Sequence, residues 1–261
     1  MKYLVVAAVV GLAMHSAWAQ DKAAPRPADA RALLPPAESA GAGALECLVE
    51  PHVQVNVGSS VDGVLDQVLV NRGDTVRKGQ VVARLQSGVE AAAVKLSEAR
   101  VEFARRKLER SQTLVEKQLI STQEIDELST EVKLREEELR KDEETLKLRV
   151  ILSPIDGVVV ERRMTPGEFI RTDKSVVLRL AQVNPLNIEA IAPSRLFRTV
   201  RVGMSGRVSL APMYPGSYQA KVVVVDRLVD AASGTLGVRL ELPNPENRIP
   251  AGIRCSVALG R

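Results

Sequence analysis

Aromatic residues are scarce: one tryptophan, three tyrosines and three phenylalanines in 261 residues. That is too few for a platform on which sugars or bases stack. Histidine and cysteine each occur twice. Zinc and iron sites draw on clusters of such ligands, and the sequence has no cluster, so no metal-binding residue is assigned. Nucleophile-plus-histidine catalysis would have to rest on His52, which lies between Pro51 and a strand-like run and reads as a surface histidine. No catalytic or cofactor-binding residue is assigned either, and the inventory points away from an enzyme. The formal net charge is only +4 and is spread along the chain, leaving no footprint for nucleic acid.

A long hydrophobic run is also missing. The apolar stretch from Tyr3 to Met14 is too short to span a bilayer. It follows Lys2 and precedes Ala17 and Ala19, the small residues of an A-x-A cleavage site. Residues 1–19 therefore read as a signal peptide, removed after Ala19, with the mature chain placed outside the cytoplasm and without a membrane anchor. Cys47 lies far beyond the apolar run and follows Glu46, which argues against a lipoprotein. Residues 20–43 are rich in alanine and proline and read as a flexible lead-in.

What the chain does contain is an internal repeat. The stretches "VDGVLDQVLVNRGDTVRKGQVVARL" from Val61 and "IDGVVVERRMTPGEFIRTDKSVVLRL" from Ile155 place Gly63 on Gly157 and Gly73 on Gly167, each pair 94 residues apart. Asp62 then matches Asp156, Asp74 matches Glu168, and one extra residue near Lys174 brings Val81 onto Val176 and Leu85 onto Leu180. Both copies alternate apolar and polar residues and are punctuated by glycines, as short strands joined by turns are. Gly63, Gly73, Gly157 and Gly167 are expected in turns, Gly73 and Gly167 with positive φ. Two matched units that cannot each bury a core imply one pseudo-symmetric β structure.

Each copy resembles half of a lipoyl or biotinyl hammerhead domain, whose recurring signature is "DGxV…V…GDxVxxGQ". Carrier domains present the modified lysine at the turn between halves. Here residues 86–153 replace that turn, and no lysine sits in the required setting, so no cofactor is expected. The replacement is helical: residues 87–118 hold no proline and, after Gly88, no glycine, and are filled with good helix formers. Val89, Leu96 and Phe103 recur every seven residues. The second stretch opens on Ser121 and Glu124 in capping-box register and repeats Ile125, Val132, Leu139 and Leu146. A narrow heptad seam with charge elsewhere predicts an antiparallel coiled-coil hairpin with a solvated outer face.

A split lipoyl domain interrupted by such a hairpin resembles the periplasmic adaptor, or membrane fusion protein, family of Gram-negative efflux and secretion systems. "APSRLFRTVRVGMSGRVSL" is similar to the short helix and strand of that family's β-barrel domain. The closing stretch, with Gly234–Thr235, "LPNP" at 242–245 and Pro250–Gly252, is similar to its end. The resemblance implies a mainly β, elongated chain with a coiled-coil hairpin: β-barrel over 44–57 and 184–261, split lipoyl domain over 58–86 and 151–183, hairpin over 87–150. The sequence ends at Arg261 in the last barrel strand, which implies a compact form without a membrane-proximal domain.

In adaptors that engage TolC-like channels the hairpin tip carries an Arg, Leu, Ser motif with spacing four and seven. Arg110, Leu114 and Ser121 match it. The alternative is structural: Leu114 as seam packing, Ser121 as a simple helix cap and Arg110 as a solvated charge. The partners implied are an inner-membrane transporter of resistance-nodulation-division type, a TolC-like outer-membrane channel and further copies of the chain in a ring, with no nucleic acid, in the periplasm. An adaptor of type I secretion or another exporter, a lipoyl or biotinyl carrier subunit, and a free-standing scaffold are the competing readings. Finally, the family fold assigns the strands of Cys47 and Cys255 to one barrel. If the strands are neighbours a disulfide can form there, and two buried, reduced thiols are the alternative left open.

Overall fold

The structure, a computed structural model, describes residues 43–116, 119 and 121–260. The expected signal peptide and residues 20–42 of the lead-in lie outside these. The 94-residue repeat is visible bond by bond. Strands β1 (Leu45–Val57), β2 (Gly63–Val68), β3 (Thr75–Val76) and β4 (Val81–Leu85) precede helices α1 (Gly88–Glu116) and α2 (Thr122–Lys147). Strands β5 (Val150–Leu152), β6 (Gly157–Arg162) and β7 (Phe169–Ile170) follow.

Gly63 pairs with Ile170 and Val64 with Phe169, while Gly157 pairs with Val76 and Val158 with Thr75. Adding 94 to one end of each pair, and subtracting it from the other, converts the first set into the second. Each half also supplies the other's turn contacts. Gly73 N–H donates to the Val159 carbonyl at 2.9 Å, and Gly167 N–H to the Leu65 carbonyl at 2.7 Å. Asp62 Oδ1 accepts the Thr172 N–H at 2.8 Å and Asp156 Oδ1 the Lys78 N–H at 2.9 Å. Between them the halves bury one core: Leu65 and Val159, Val76 and Ile170, Val82 and Val177, Leu85 and Leu180. The extra residue near Lys174 falls in a turn. Arg77 N–H donates to a side chain three residues on, Gln80, and Arg171 N–H to one four residues on, Ser175.

The four repeated glycines do two different jobs. Gly73 and Gly167 have φ of 94° and 95°, the left-handed region that glycine enters without a Cβ penalty. Gly63 and Gly157 correct the sequence expectation: they begin β2 and β6 rather than lying in turns, and are required by close approach instead. A Cβ on Gly157 would strike the Ala181 carbonyl oxygen, and one on Gly63 would lie 2.6 Å from Arg149 Nη1. Gly157→Val is therefore expected to cost about 3 kcal/mol, the upper end for overpacking a tight site, because backbone cannot withdraw. Gly63→Ala is expected to cost less, since a guanidinium can move aside. Melting curves of the two variants measure the difference.

The Asp62 carboxyl is held below the usual carboxylate range, first by the Thr172 N–H, then by the Thr172 hydroxyl, with Arg171 adding a smaller Coulombic pull. A carboxyl with a lowered folded pKa contributes stability above its unfolded pKa, about 3.9, and loses that contribution as pH falls through the folded value. The melting-temperature gap between the native chain and Asp62→Asn is expected to be full at about pH 6 and to close as pH falls from the unfolded value through the lowered folded one. A gap independent of pH would contradict this assignment.

Strands β8 (Leu178–Pro193), β9 (Ser205–Leu210), β10 (Tyr214–Val225), β11 (Thr235–Leu242) and β12 (Arg254–Leu259) complete the chain, with a short 3-10 turn over Ser194–Leu196. The order β1-β12-β9-β10-β11-β8 closes on itself through β1–β8 pairing, so six antiparallel strands form a barrel without a free edge. Leu236, Val238, Leu240 and Leu242 point inward at every second residue of β11, as the pleat requires. They meet Val49, Leu186, Ile188, Val208, Val222 and Val257.

The domain boundaries differ from the sequence expectation at one place. Strands β1 and β8 run through both cores. Val57 packs in the hammerhead core and Val49 in the barrel core. The handover lies at a register shift between Pro51 and Val53, opposite Asn184–Pro185. Prolines lack a ladder donor and sit where pairing is already interrupted. Asn244 of the "LPNP" stretch is buried beside this junction. Its Nδ2 donates to the carbonyls of Val183 and Ile249, both at 2.9 Å, and its Oδ1 accepts the Ile249 N–H.

A candidate contact site at the hairpin tip

The 29 residues of α1 and 26 of α2 reach about 43 and 39 Å at 1.5 Å per residue. They pack on each other along steps of three and four on α1, at Val94, Ser97, Val101, Ala104, Leu108 and Ser111, and on α2 at Ile125, Leu128 and Val132, then by sevens at Leu139 and Leu146. The α1 seam expected from Val89, Leu96 and Phe103 is a correction, because all three are exposed. Apolarity selects the larger residues, whereas close helix approach is made by the small Ser97 and Ala104. Ser97 Oγ donates to Asp142 Oδ2 at 2.5 Å inside the seam. Arg100–Glu138, Arg105–Glu136 and Lys107–Glu131 pair across the helices at 2.7, 2.6 and 3.3 Å. These exposed pairs are worth about 1 kcal/mol each at most, and they fix register rather than stability.

At the base, Arg149 ties the hairpin to the hammerhead. Its Nη2 bonds Glu90 Oε1 at 2.5 Å and its Nη1 donates to the Asp62 carbonyl at 2.8 Å. Sequence reasoning missed it, although Arg149 continues the α2 register three residues beyond Leu146. Arg149→Ala leaves the mostly buried Glu90 carboxylate without this partner and is expected to cost about 1–3 kcal/mol. It should also raise amide exchange in the first turns of α1. Unchanged exchange there would show that the base is held by other contacts.

At the other end, Arg110 and Leu114 lie one turn apart on the last turns of α1, both exposed, and so share a face. Leu114 falls outside the seam steps. Among the described residues no carboxylate is within ion-pair distance of Arg110. Ser121 is the N-cap of α2, and its Oγ accepts the Glu124 N–H at 3.2 Å. The fold thus brings the three to the same end of the hairpin, with Ser121 already holding a structural bond. Leu119, between them in sequence, is exposed too. Among the described residues this end exposes a guanidinium and apolar side chains. Among the described residues no group of three or more His, Cys, Asp or Glu is placed to hold a metal ion.

The remaining assigned residues lie elsewhere. Cys47 and Cys255 are directly opposite each other on β1 and β12, with Cα atoms 4.8 Å apart, and are joined as a disulfide. His52, read from the sequence as a surface residue, is half-buried and bonds the Asn187 side chain at 3.2 Å. Among the described residues no helix is long and apolar enough to cross a membrane.

Two family models match the chain: "CzcB-like, barrel-sandwich hybrid domain" over residues 53–181 and "CusB-like, beta-barrel domain" over 186–261. The multidrug resistance protein MdtA of Pantoea ananatis is 26% identical over 214 residues, covering 74% of this chain and 52% of MdtA. The multidrug resistance protein MexA of Pseudomonas aeruginosa is 22% identical over 213 residues, covering 76% and 55%. The chain spans about half the length of the curated relatives it matches. A crystal structure of a MacA–MexA chimera carrying the Pseudomonas aeruginosa MexA α-hairpin superposes with a TM-score of 0.70 at 19% identity, covering 83% of this chain and 77% of the chimera. MacA of Actinobacillus actinomycetemcomitans superposes at 0.63 with 18% identity, covering 83% and 78%. These superpositions establish the shared fold.

Proposed function

The chain belongs to the periplasmic adaptor, or membrane fusion protein, family, and on that premise we propose that it links an inner-membrane transporter to a TolC-like outer-membrane channel in a tripartite efflux system. The observation that carries this reading is the free end of the hairpin. Arg110 and Leu114 stand exposed about 33 and 39 Å along α1 from the hammerhead, where a helical partner can accept a guanidinium and a leucine. Arg110 supplies charge-assisted hydrogen bonds to carboxylates or helix-end carbonyls. Leu114 fills an apolar groove, and Ser121 holds the turn that presents them. Residues 1–19 export the chain to the periplasm. Copies stand side by side as a ring, with the barrel and hammerhead toward the transporter and the hairpins toward the channel. The chain does no chemistry and carries no cofactor. The resistance-nodulation-division transporters are the partner class that the family resemblance implies, and the similar proteins carry multidrug resistance names.

Affinity isolation of the tagged chain from detergent-solubilised envelopes is expected to bring down one inner-membrane transporter and one outer-membrane channel. Isolation of neither from cells that express both would contradict the reading.

A further inference from the structure

Strand β8 leaves the hammerhead near Asn184–Pro185 and ends at Pro193, opposite Thr235 of β11. Residues 194–204 and the loop over 226–234 therefore build the end of the barrel that faces away from the hammerhead. The Ser194 N–H donates to the Gly234 carbonyl at 2.9 Å and joins the two segments. Residues 194–204 cross from β8 to β9 and close the barrel core with Leu196 and Val200. The crossing is tightly wound: the Phe197 N–H donates to the Ser194 carbonyl, and the Thr199 and Val200 N–H groups to the Leu196 carbonyl. At about three residues per turn, Arg195 and Arg198 fall together on the side opposite Leu196 and Val200, and both are exposed.

This end carries unpaired positive charge. Arg195, Arg198, Arg201 and Arg227 are all exposed, and among the described residues none of them is in an ion pair. Arg201 Nη1 reaches only the Val200 carbonyl, at 3.5 Å. The acids of the two segments are engaged elsewhere. Asp230 Oδ1 accepts the Ala232 and Ser233 N–H groups at 2.8 and 3.3 Å, and the Asp226 carboxylate lies against Gly237 on the barrel wall. Beside the arginines stand large apolar side chains: Leu228 is 86% exposed, Val202 66% and Phe197 42%. Three on one small end, next to four cations, depart from the scattered single exposures of an ordinary surface. Leu228 and Phe197 stand on convex segments. A folded protein would need a matching hole for each, whereas a headgroup layer offers phosphates to the guanidinium groups and hydrocarbon just beneath.

We propose that this end of the barrel docks on an anionic phospholipid surface, with Arg195, Arg198 and Arg227 on the phosphates and Leu228 and Phe197 dipping below them. The contact is peripheral and reversible, because it has few cations and few apolar side chains to hold it. It does not depend on the adaptor reading.

The test is flotation of the full chain from Gln20 onward with lipid alone. Vesicles of phosphatidylethanolamine and phosphatidylglycerol are expected to carry the protein up, and vesicles of phosphatidylcholine to leave most of it behind. Added salt is expected to release it. Arg195→Glu/Arg198→Glu is expected to bind the anionic vesicles at least about 30-fold more weakly, and Leu228→Ser about 10-fold more weakly. The three positions are exposed, so melting temperatures are expected to match the native chain. Equal binding to both kinds of vesicle, no binding to the anionic ones, or unchanged binding by the arginine variant overturns the proposal. If the arginine variant melts lower, Leu228→Ser decides, and full binding by that variant overturns it. Absence of flotation, together with a transporter that co-isolates in detergent with the native chain and not with the arginine variant, assigns this face to an acidic protein surface instead.

Discussion

Arg110→Asp is expected to reduce export to the level of a strain lacking the protein, while the variant folds and accumulates normally. The substitution sits on an exposed α1 turn, outside the seam and with no carboxylate partner among the described residues, so its effect on stability should stay within about 0.5 kcal/mol. At a partner's carboxylates or carbonyl ends, by contrast, it replaces a fork of donors with a like charge. Like-charge juxtaposition at a contact costs several kcal/mol. Arg110→Lys separates charge from geometry. It keeps the cation, loses the bidentate fork, and is expected to retain part of the export. Substrate accumulation in cells carrying each variant measures the series. Full export by Arg110→Asp would return the residue to a solvated helix end.

The second large effect concerns the barrel. Cys47 and Cys255 join β1 to β12, 208 residues apart in sequence. On the chain-entropy model a crosslink over so long a loop removes about 5 kcal/mol of freedom from the unfolded chain. The pair lies at the point where the first and last barrel strands meet, so its loss falls on barrel closure. A Cys47→Ala/Cys255→Ala variant, which avoids burying hydroxyls, is expected to melt roughly 10–20 °C lower, at 2–4 °C per kcal/mol for a chain of this size. Thiol titration of the denatured, unreduced protein should find no free thiol. Two free thiols per chain, or an unchanged melting temperature, would remove the disulfide from the account.

How much of this was legible in the sequence follows from the length scale of each feature. The hammerhead repeat was readable because its signals are local: Asp-Gly at 62 and 156, Gly-Asp at 73 and Gly-Glu at 167, each closing one turn. What those glycines are for was only half readable. Gly73 and Gly167 answer to backbone torsion, which a turn motif announces. Gly63 and Gly157 answer to Arg149 and the Ala181 carbonyl, neighbours that only the assembled fold supplies. The α1 seam was misread for a related reason. Two heptad series overlap on that helix, and periodicity reports both without saying which faces α2. The small residues Ser97 and Ala104 were the available clue.

The sharing of β1 between two cores was not legible, because a strand that alternates continuously carries no mark where its partner changes, whereas on β8 the sequence boundary was set at Asn184–Pro185, opposite the register shift. The proline pair at 51 and 185 is the nearest thing to one. Pairing of the cysteines depended on barrel closure, which brings strand one against strand twelve and has no local signature. The tip residues stood out only because their spacing matches the motif that the family resemblance implies, and the fold adds exposure for Arg110 and Leu114 and a cap bond for Ser121.

The central claim is that the hairpin tip meets an outer-membrane channel, and a photo-reactive phenylalanine analogue placed at position 114 tests it most directly. Irradiation of intact cells is expected to give one adduct between this chain and a TolC-like channel, and the adduct should disappear when Arg110→Asp is introduced. Adducts only with other copies of the chain, or none at all in cells that still export, would contradict the account.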